Sequence, residues 1–276
     1  MKRPLQDPFI FICIGAALLF SVYAISQFWE EDPKPLLKQA QESYKNGELS
    51  KTTPERTKDF NHSLEILLDL EKKYAPVFGN GKLYFNLGNN LFQLEEYPYA
   101  LLYYYRSELL RPRDEKVQEH IAITQKQLGI SVSESETPFD WLFFFHNRLS
   151  LPERIQLFFA LALLIFGLAS CYLWYSRRWI YMAIFALTII SIPLLLSLAY
   201  SYALSPLEAV VVKSSQLYRD AGLYYAKVTP EPLMPGQKVK VLDVKLAGKW
   251  FKVKTNEGTT GFLPENSTRL IETSSP

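Results

Sequence analysis

Residues 155–204 read IQLFFALALLIFGLASCYLWYSRRWIYMAIFALTIISIPLLLSLAYSYAL. Two apolar runs, Ile155–Tyr175 and Trp179–Tyr200, flank Ser176-Arg177-Arg178, and neither contains Asp, Glu, Lys or Arg. Each is about 20 residues long, enough to cross a hydrocarbon core at ~1.5 Å of helical rise per residue. The arginines decide the arrangement. Holding one at the bilayer centre costs about 2.5–3.5 kcal/mol, whereas each Leu, Ile or Phe recovers only ~0.3–0.6 kcal/mol. A helical hairpin with Arg177 and Arg178 at a wet turn is therefore expected over residues 155–204. Positive charge stays cytoplasmic, so the chain on either side of the hairpin lies together on the far face of the membrane.

Working toward the amino terminus, Lys2 and Arg3 precede the apolar run Phe9–Phe28. Residues 1–29 read as a membrane anchor or a signal peptide. Val22-Tyr23-Ala24 has the small-residue character of a cleavage site, while Trp29-Glu30-Glu31 marks an interfacial boundary and favours the uncleaved anchor. Cys13 and Cys171 both lie in apolar runs, so neither soluble part can form a disulfide. The formal net charge of +2 carries no nucleic-acid signal.

Residues 30–130 have helical periodicity. Leu36, Leu37, Ala40 and Tyr44 share a helix face, and Asn46-Gly47 reads as its stop. Leu49–Asp59, polar and containing Thr53-Pro54, reads as a loop. Phe60, Leu64, Leu67 and Leu68 mark a second helix that Ala75-Pro76 should end. The strongest pattern is Gly81–Pro112. There Tyr84, Leu87, Gly88, Leu91, Tyr97, Ala100, Tyr104 and Pro112 fall at the offsets of a 34-residue helix–turn–helix repeat. Tyr84, Leu87 and Leu91 make one face of the first helix. Gly88 and Ala100 let the two helices approach, Tyr104 fills the space between repeats, and Pro112 ends the second helix. The pattern resembles a tetratricopeptide repeat, with Ser107 in place of the usual alanine. Glu115–Leu128 would be the polar terminal helix that such arrays need. Lys82, Asn86, Asn89 and Gln93 recur on the opposite side of the first helix and are the candidate partner-binding residues, able to hold a carboxylate or an extended backbone. Tyr103, Tyr104 and Tyr105 form an aromatic cluster that reads first as packing.

Residues 131–154 read as a Ser/Glu-rich linker followed by an interfacial aromatic helix around Phe139–Phe145, with His146 as an interface residue rather than a ligand. In residues 205–276 the period changes to two. Val210 and Val212, then Val239, Val241 and Val244, then Phe251 and Val253 alternate with polar residues between the turn signals Pro235-Gly236, Ala247-Gly248 and Asn256-Glu257-Gly258. Five short strands in about 65 residues suit a small barrel. Leu217-Tyr218-Arg219, Trp250 and Gly261-Phe262-Leu263-Pro264 resemble a bacterial SH3-type domain. Tyr218, Trp250, Phe262 and Pro264 are its candidate partner-binding residues, although Ser267 stands where proline-peptide binders carry tyrosine. Residues 30–138 hold 14 Lys or Arg against 18 Asp or Glu, and residues 206–272 hold 10 against 7. The opposite signs permit contact between the two parts.

No phosphate-binding loop, nucleophile elbow, H-E-x-x-H or metal-ligand spacing occurs. The expectation is a multidomain membrane protein without catalytic, cofactor or metal residues: all-α tetratricopeptide-like repeats, transmembrane helices and a carboxy-terminal all-β SH3-like barrel. This order, with Tyr84-Phe85-Asn86-Leu87-Gly88-Asn89 opening the repeat, resembles the BatE proteins of bacterial aerotolerance operons. The resemblance implies a scaffold of the bacterial inner membrane whose periplasmic domains bind protein partners. Those partners would be von Willebrand A domain membrane proteins and a MoxR-type ATPase system, with no nucleic acid involved. A sensor whose barrel binds peptidoglycan is the other reading.

Overall fold

The computed structural model describes residue 15 and residues 32–78, 81–130, 144–203 and 205–272. The expected anchor or signal peptide with Lys2, Arg3 and Cys13 lies outside the described residues, as does most of the linker and aromatic helix, including Trp141. The described chain is mostly helical, with one small antiparallel sheet at the carboxy-terminal end.

Five helices follow one another, each packed on the next: α1 (Lys34–Leu49), α2 (Thr53–Phe78), α3 (Gly81–Gln93), α4 (Tyr97–Leu110) and α5 (Glu115–Gln127). The first pair is longer and more tightly joined than its sequence suggests. Helix α1 runs through Asn46-Gly47. Gly47 is not a stop but a contact point: a Cβ there would stand 2.9 Å from the Phe60 ring. The loop expected over Leu49–Asp59 shrinks to Ser50–Thr52, because α2 begins at Thr53. Pro54 sits in its first turn, where the missing N–H has no intrahelical partner to lose. Helix α2 also continues past Ala75-Pro76 to Phe78. Phe60, Leu67 and Leu70 are buried, whereas Leu68 faces outward.

In the α3–α4 pair most of the residues singled out by their spacing are buried. Tyr84, Leu87 and Leu91 are buried, as are Ala100 and Tyr104. Gly88 faces the Tyr104 ring so closely that a Cβ would lie 2.6 Å from it. The Tyr104 hydroxyl donates to Asn89 Oδ1 at 2.9 Å, and its ring meets the tilted Phe85 ring at 5.8 Å and the His120 ring edge-on at 5.5 Å. Ser107, the departure from the repeat pattern, is fully buried and donates to the Gly81 carbonyl at 2.7 Å. It ties the end of α4 to the start of α3, a bond alanine cannot make.

The sheet has strand order β4-β3-β2-β1-β5, antiparallel throughout, built from β1 (Leu207–Val211), β2 (Lys238–Lys245), β3 (Trp250–Thr255), β4 (Thr260–Pro264) and β5 (Thr268–Leu270). Strand β1 departs from the alternation expected of it. Ala209, Val210, Val211 and Val212 are all buried. Ala209 and Val211 belong to the sheet's own core with Leu217, Val239, Phe251 and Val253, while Val210 packs into the α4–α5 core beside Ile271. An unbroken apolar run is what a strand covered on both faces requires. In β2 the register shifts between Val241 and Asp243, which leaves Val244 exposed instead of inward.

Two further helices, α7 (Leu151–Trp174) and α8 (Arg178–Ala203), are long and apolar enough to cross a membrane. They pack together on either side of the Arg177 turn, and most of their large apolar side chains are exposed. Faces this apolar would be covered in a water-soluble fold. Ser150 and Glu153 close a reciprocal capping box at the start of α7. Beside it the short α6 (Phe144–Arg148) brings His146 to the base of the hairpin. There the buried Arg154 donates from Nη1 to His146 Nδ1 (2.8 Å), Ser197 Oγ (2.7 Å) and Ser201 Oγ (3.0 Å). These bonds fasten the free ends of α7 and α8 to each other.

Replacing Gly88 with alanine tests the α3–α4 approach. Helix propensity alone favours alanine by about 1 kcal/mol, but overpacking against a fixed ring costs about 1–3 kcal/mol. The expected result is a lower unfolding temperature of the full chain and faster hydrogen exchange in α3. A stabilised variant would contradict this packing.

Candidate binding groove and the helix–sheet junction

Between α1, α2 and α3 lies an open cavity of about 110 Å³. Helix α1 lends Gln41 and Tyr44, α2 lends Ser63 and Leu67, and α3 lends Asn86, Asn89 and Asn90. All of its lining side chains are uncharged. The helical spacing of the candidate quartet brings only two members here. Asn86 and Asn89 line the cavity. Gln93, one turn on, instead accepts from Arg56 Nη2, and the exposed Lys82 does not line it. Asn90, which falls between the quartet positions, is buried and does line it. An asparagine amid the apolar positions of α3 was the available signal for it.

Burial raises the Tyr44 hydroxyl above the usual tyrosine range, against a lowering hydrogen bond to Gln93. It is thus a neutral phenol at the cavity wall. Burial likewise raises Tyr103 and Tyr104, and the Glu71 carboxylate adds to the effect at Tyr103. The tyrosine cluster is structural. Tyr103 donates to Glu71 Oε2 at 2.8 Å, and Tyr105 accepts from Gln125 Nε2 at 2.9 Å.

A second feature is the seam between α4 and the sheet. Arg106 extends from α4 and donates from Nε to the Ile271 carbonyl (3.1 Å) and from Nη2 to the Leu270 carbonyl (3.2 Å). Its Nη1 pairs with Glu71 Oε1 at 3.1 Å, and the guanidinium carbon lies 4.9 Å from the centre of the Tyr103 ring. Lys238 on β2 pairs with Glu208 and lies 4.8 Å from the Tyr105 ring centre. Gly236, at φ +91°, abuts Leu128 and Ile130 just past α5. The attraction across the seam is therefore apolar contact, carbonyl capping and cation–aromatic contact. The ion pairs that flank it, Arg106–Glu71 and Lys238–Glu208, close within each side. The array also reaches the hairpin through Arg113 and Glu153 in the first turn of α7.

Within the sheet, Trp250 and Phe262 are largely buried, and Tyr218 and Pro264 are half-buried. Tyr218 meets Trp250 edge-on at 5.8 Å and bridges to Phe262 through backbone hydrogen bonds. The four candidates thus gather at one place, but only Tyr218 and Pro264 offer surface. Among the described residues no three His, Cys, Asp or Glu side chains come together to hold a metal ion. Comparison with family models, curated proteins and solved structures finds no match for the chain.

Arg106→Met tests the seam. It leaves two carbonyls and a carboxylate without their charged donor, a loss of about 2–3 kcal/mol. The expected result is faster hydrogen exchange in β1 and β5 with α3 unchanged. Arg106→Lys should not restore protection, because an ammonium lacks the planar fork. Unchanged exchange in both variants would show that the seam holds without Arg106.

Proposed function

We propose that this chain is a non-catalytic membrane scaffold whose tetratricopeptide-like array and SH3-like barrel bind protein partners on the outer face of a bacterial inner membrane. The observation that carries the reading is the joining of three parts by direct contacts. The array, the sheet and the hairpin base meet through Arg106, Val210 and Ile271 on one side and Arg113 and Glu153 on the other. A groove held at a set position over a membrane suits assembly of partners. The sheet's strand order, with a 3₁₀ turn at Glu265–Ser267 between the last two strands, supports the SH3-like reading. The helix lengths and the Gly88–Tyr104 contact support the repeat reading. The resemblance to BatE proteins points to von Willebrand A domain membrane proteins and a MoxR-type ATPase system as partners, in an envelope complex linked to aerotolerance.

Arg177 and Arg178, exposed at the hairpin turn, support a turn on the cytoplasmic side. A reporter inserted at Ser176 is expected to be cytoplasmic and one after Pro276 to be exported; the reverse pattern would overturn the placement. Crosslinking in native membranes followed by purification should recover membrane proteins with von Willebrand A domains. Recovery of the chain alone would count against the scaffold.

The peptidoglycan reading draws on one observation: Leu223, Tyr224 and Tyr225 are exposed together in the segment between β1 and β2. Aromatic faces of this kind can pack on sugar rings. The full chain in lipid nanodiscs should then cosediment with purified cell wall, and a failure to do so removes this reading.

A further inference from the structure

Two hairpin turns lie at opposite ends of the sheet and have opposite chemistry. The β3–β4 turn reads Asn256-Glu257-Gly258, polar residues that suit a tight turn. The β2–β3 turn reads Leu246-Ala247-Gly248. All three of these residues carry positive φ, at +54°, +52° and +88°. That region favours glycine or asparagine and disfavours a bulky side chain. Leu246 is nevertheless 60% exposed there, and Leu242 and Val244 just before it are 50% and 46% exposed. Burial within this chain does not account for a leucine at such a place.

The strand register says what the apolar turn is near. Strand β1 starts at Leu207 opposite Val241, which in turn faces Val253. Strands β2 and β3 continue beyond these residues to Lys245 and Trp250. Counted along β3 this is three residues, about 10 Å at ~3.4 Å each. They run out on the side from which the chain enters β1, and it enters directly from α8. The Ser205 N–H still donates to the Tyr200 carbonyl (2.9 Å), so Pro206 alone separates the last helical bond from the sheet. Tyr200 and Tyr202 are exposed in the last turn of α8, a residue type enriched at headgroup level. The apolar turn thus overhangs the end of α8, and the polar turn lies at the far end of the sheet.

The charges of the overhang fit the same surroundings. Lys245 is engaged by Asp220, and Asp243 Oδ1 accepts from the Val244 N–H at 2.8 Å. Lys249 is exposed and pairs with no carboxylate among the described residues. Apolar side chains beside a free cation are what an interfacial contact with anionic lipid uses.

We infer that the β2–β3 turn is a second membrane contact: Leu242, Val244 and Leu246 enter the headgroup region of the bilayer that α7 and α8 cross, with Lys249 at the phosphates. The inference rests on the membrane reading of the hairpin. Lipid is the occupant, rather than a protein partner, because the short link to α8 holds this turn at the lipid surface before any partner arrives.

The test uses the full chain, carrying Cys13→Ser and Cys171→Ser, in nanodiscs of phosphatidylcholine and phosphatidylglycerol. A nitroxide is attached through Ala247→Cys at the apolar turn, Glu257→Cys at the polar turn or Phe166→Cys on the exposed flank of α7. Collisions with oxygen, which concentrates in lipid, are compared with those of a water-soluble nickel chelate. Oxygen should dominate at positions 166 and 247, and the chelate at position 257. Leu242→Ser with Leu246→Asn should reverse the order at position 247 and leave the other two positions unchanged, since both leucines are exposed and asparagine tolerates positive φ. Should that variant misfold, the order at position 247 in the unaltered turn still decides. Chelate dominance there, or shielding from both quenchers as protein cover would give, overturns the inference. An unchanged order at position 247 in the folded double variant also overturns it. If position 166 reports lipid and position 247 water, the turn contact fails and the membrane reading stands. If both report water, both fail.

Discussion

Helix α4 is the constraint on which the fold rests. Its sequence, YPYALLYYYRSELL, is apolar almost all the way round, and a helix of that kind needs cover on every side. The structure supplies it from three directions: α3 through Gly88 and Tyr104, α5 through Val117 and Ile121, and the sheet through Val210 and Ile271. Arg106 is the one charged residue of α4 at this seam, and it is spent on carbonyls at the end of β5 and on Glu71 of α2. The position of the sheet relative to the array is thus set by the need to cover one helix.

The charge difference between the two soluble parts has a smaller role than the sequence suggests. Exposed ion pairs contribute little and weaken with salt. The seam is instead made of buried apolar side chains, the contact of Lys238 with the Tyr105 ring and guanidinium-to-carbonyl bonds. Polar contacts act more firmly at the ends of the α7–α8 hairpin. The capping box at Ser150 and Glu153 starts α7, and Arg154 is held by Ser197, Ser201 and His146 at the hairpin's open end. Arg177 and Arg178 lie at the closed end.

Much of this architecture is legible in the sequence because it depends on periodicity. The hairpin follows from two apolar runs and two arginines. The α3–α4 pair follows from spaced small and aromatic residues, and the sheet from alternating valines and turn glycines. What was not legible depends on neighbours distant in sequence. Gly47 looks like a helix stop until Phe60 is seen against it. Pro54 looks like a loop residue unless a helix begins one position earlier. Ala209–Val212 is a continuous apolar run, but only the array explains why both faces need cover. In the groove, spacing puts Asn86 and Asn89 on one side of α3, and both line the cavity. It could not tell that Gln93 is engaged by Arg56, nor that Ser63 comes from another helix.

The double burial of β1 bears on how portable the sheet is. Cut away from the array, residues 205–272 would turn Val210 and Ile271 out to water and leave the carbonyls of Leu270 and Ile271 without Arg106. Such a fragment carries an adhesive stripe of its own making. Its affinity for any surface would then report a severed seam as readily as a recognition site. The sheet is in this sense an organ of the whole chain, and neither grafting it onto another protein nor exchanging it between relatives would leave both halves intact.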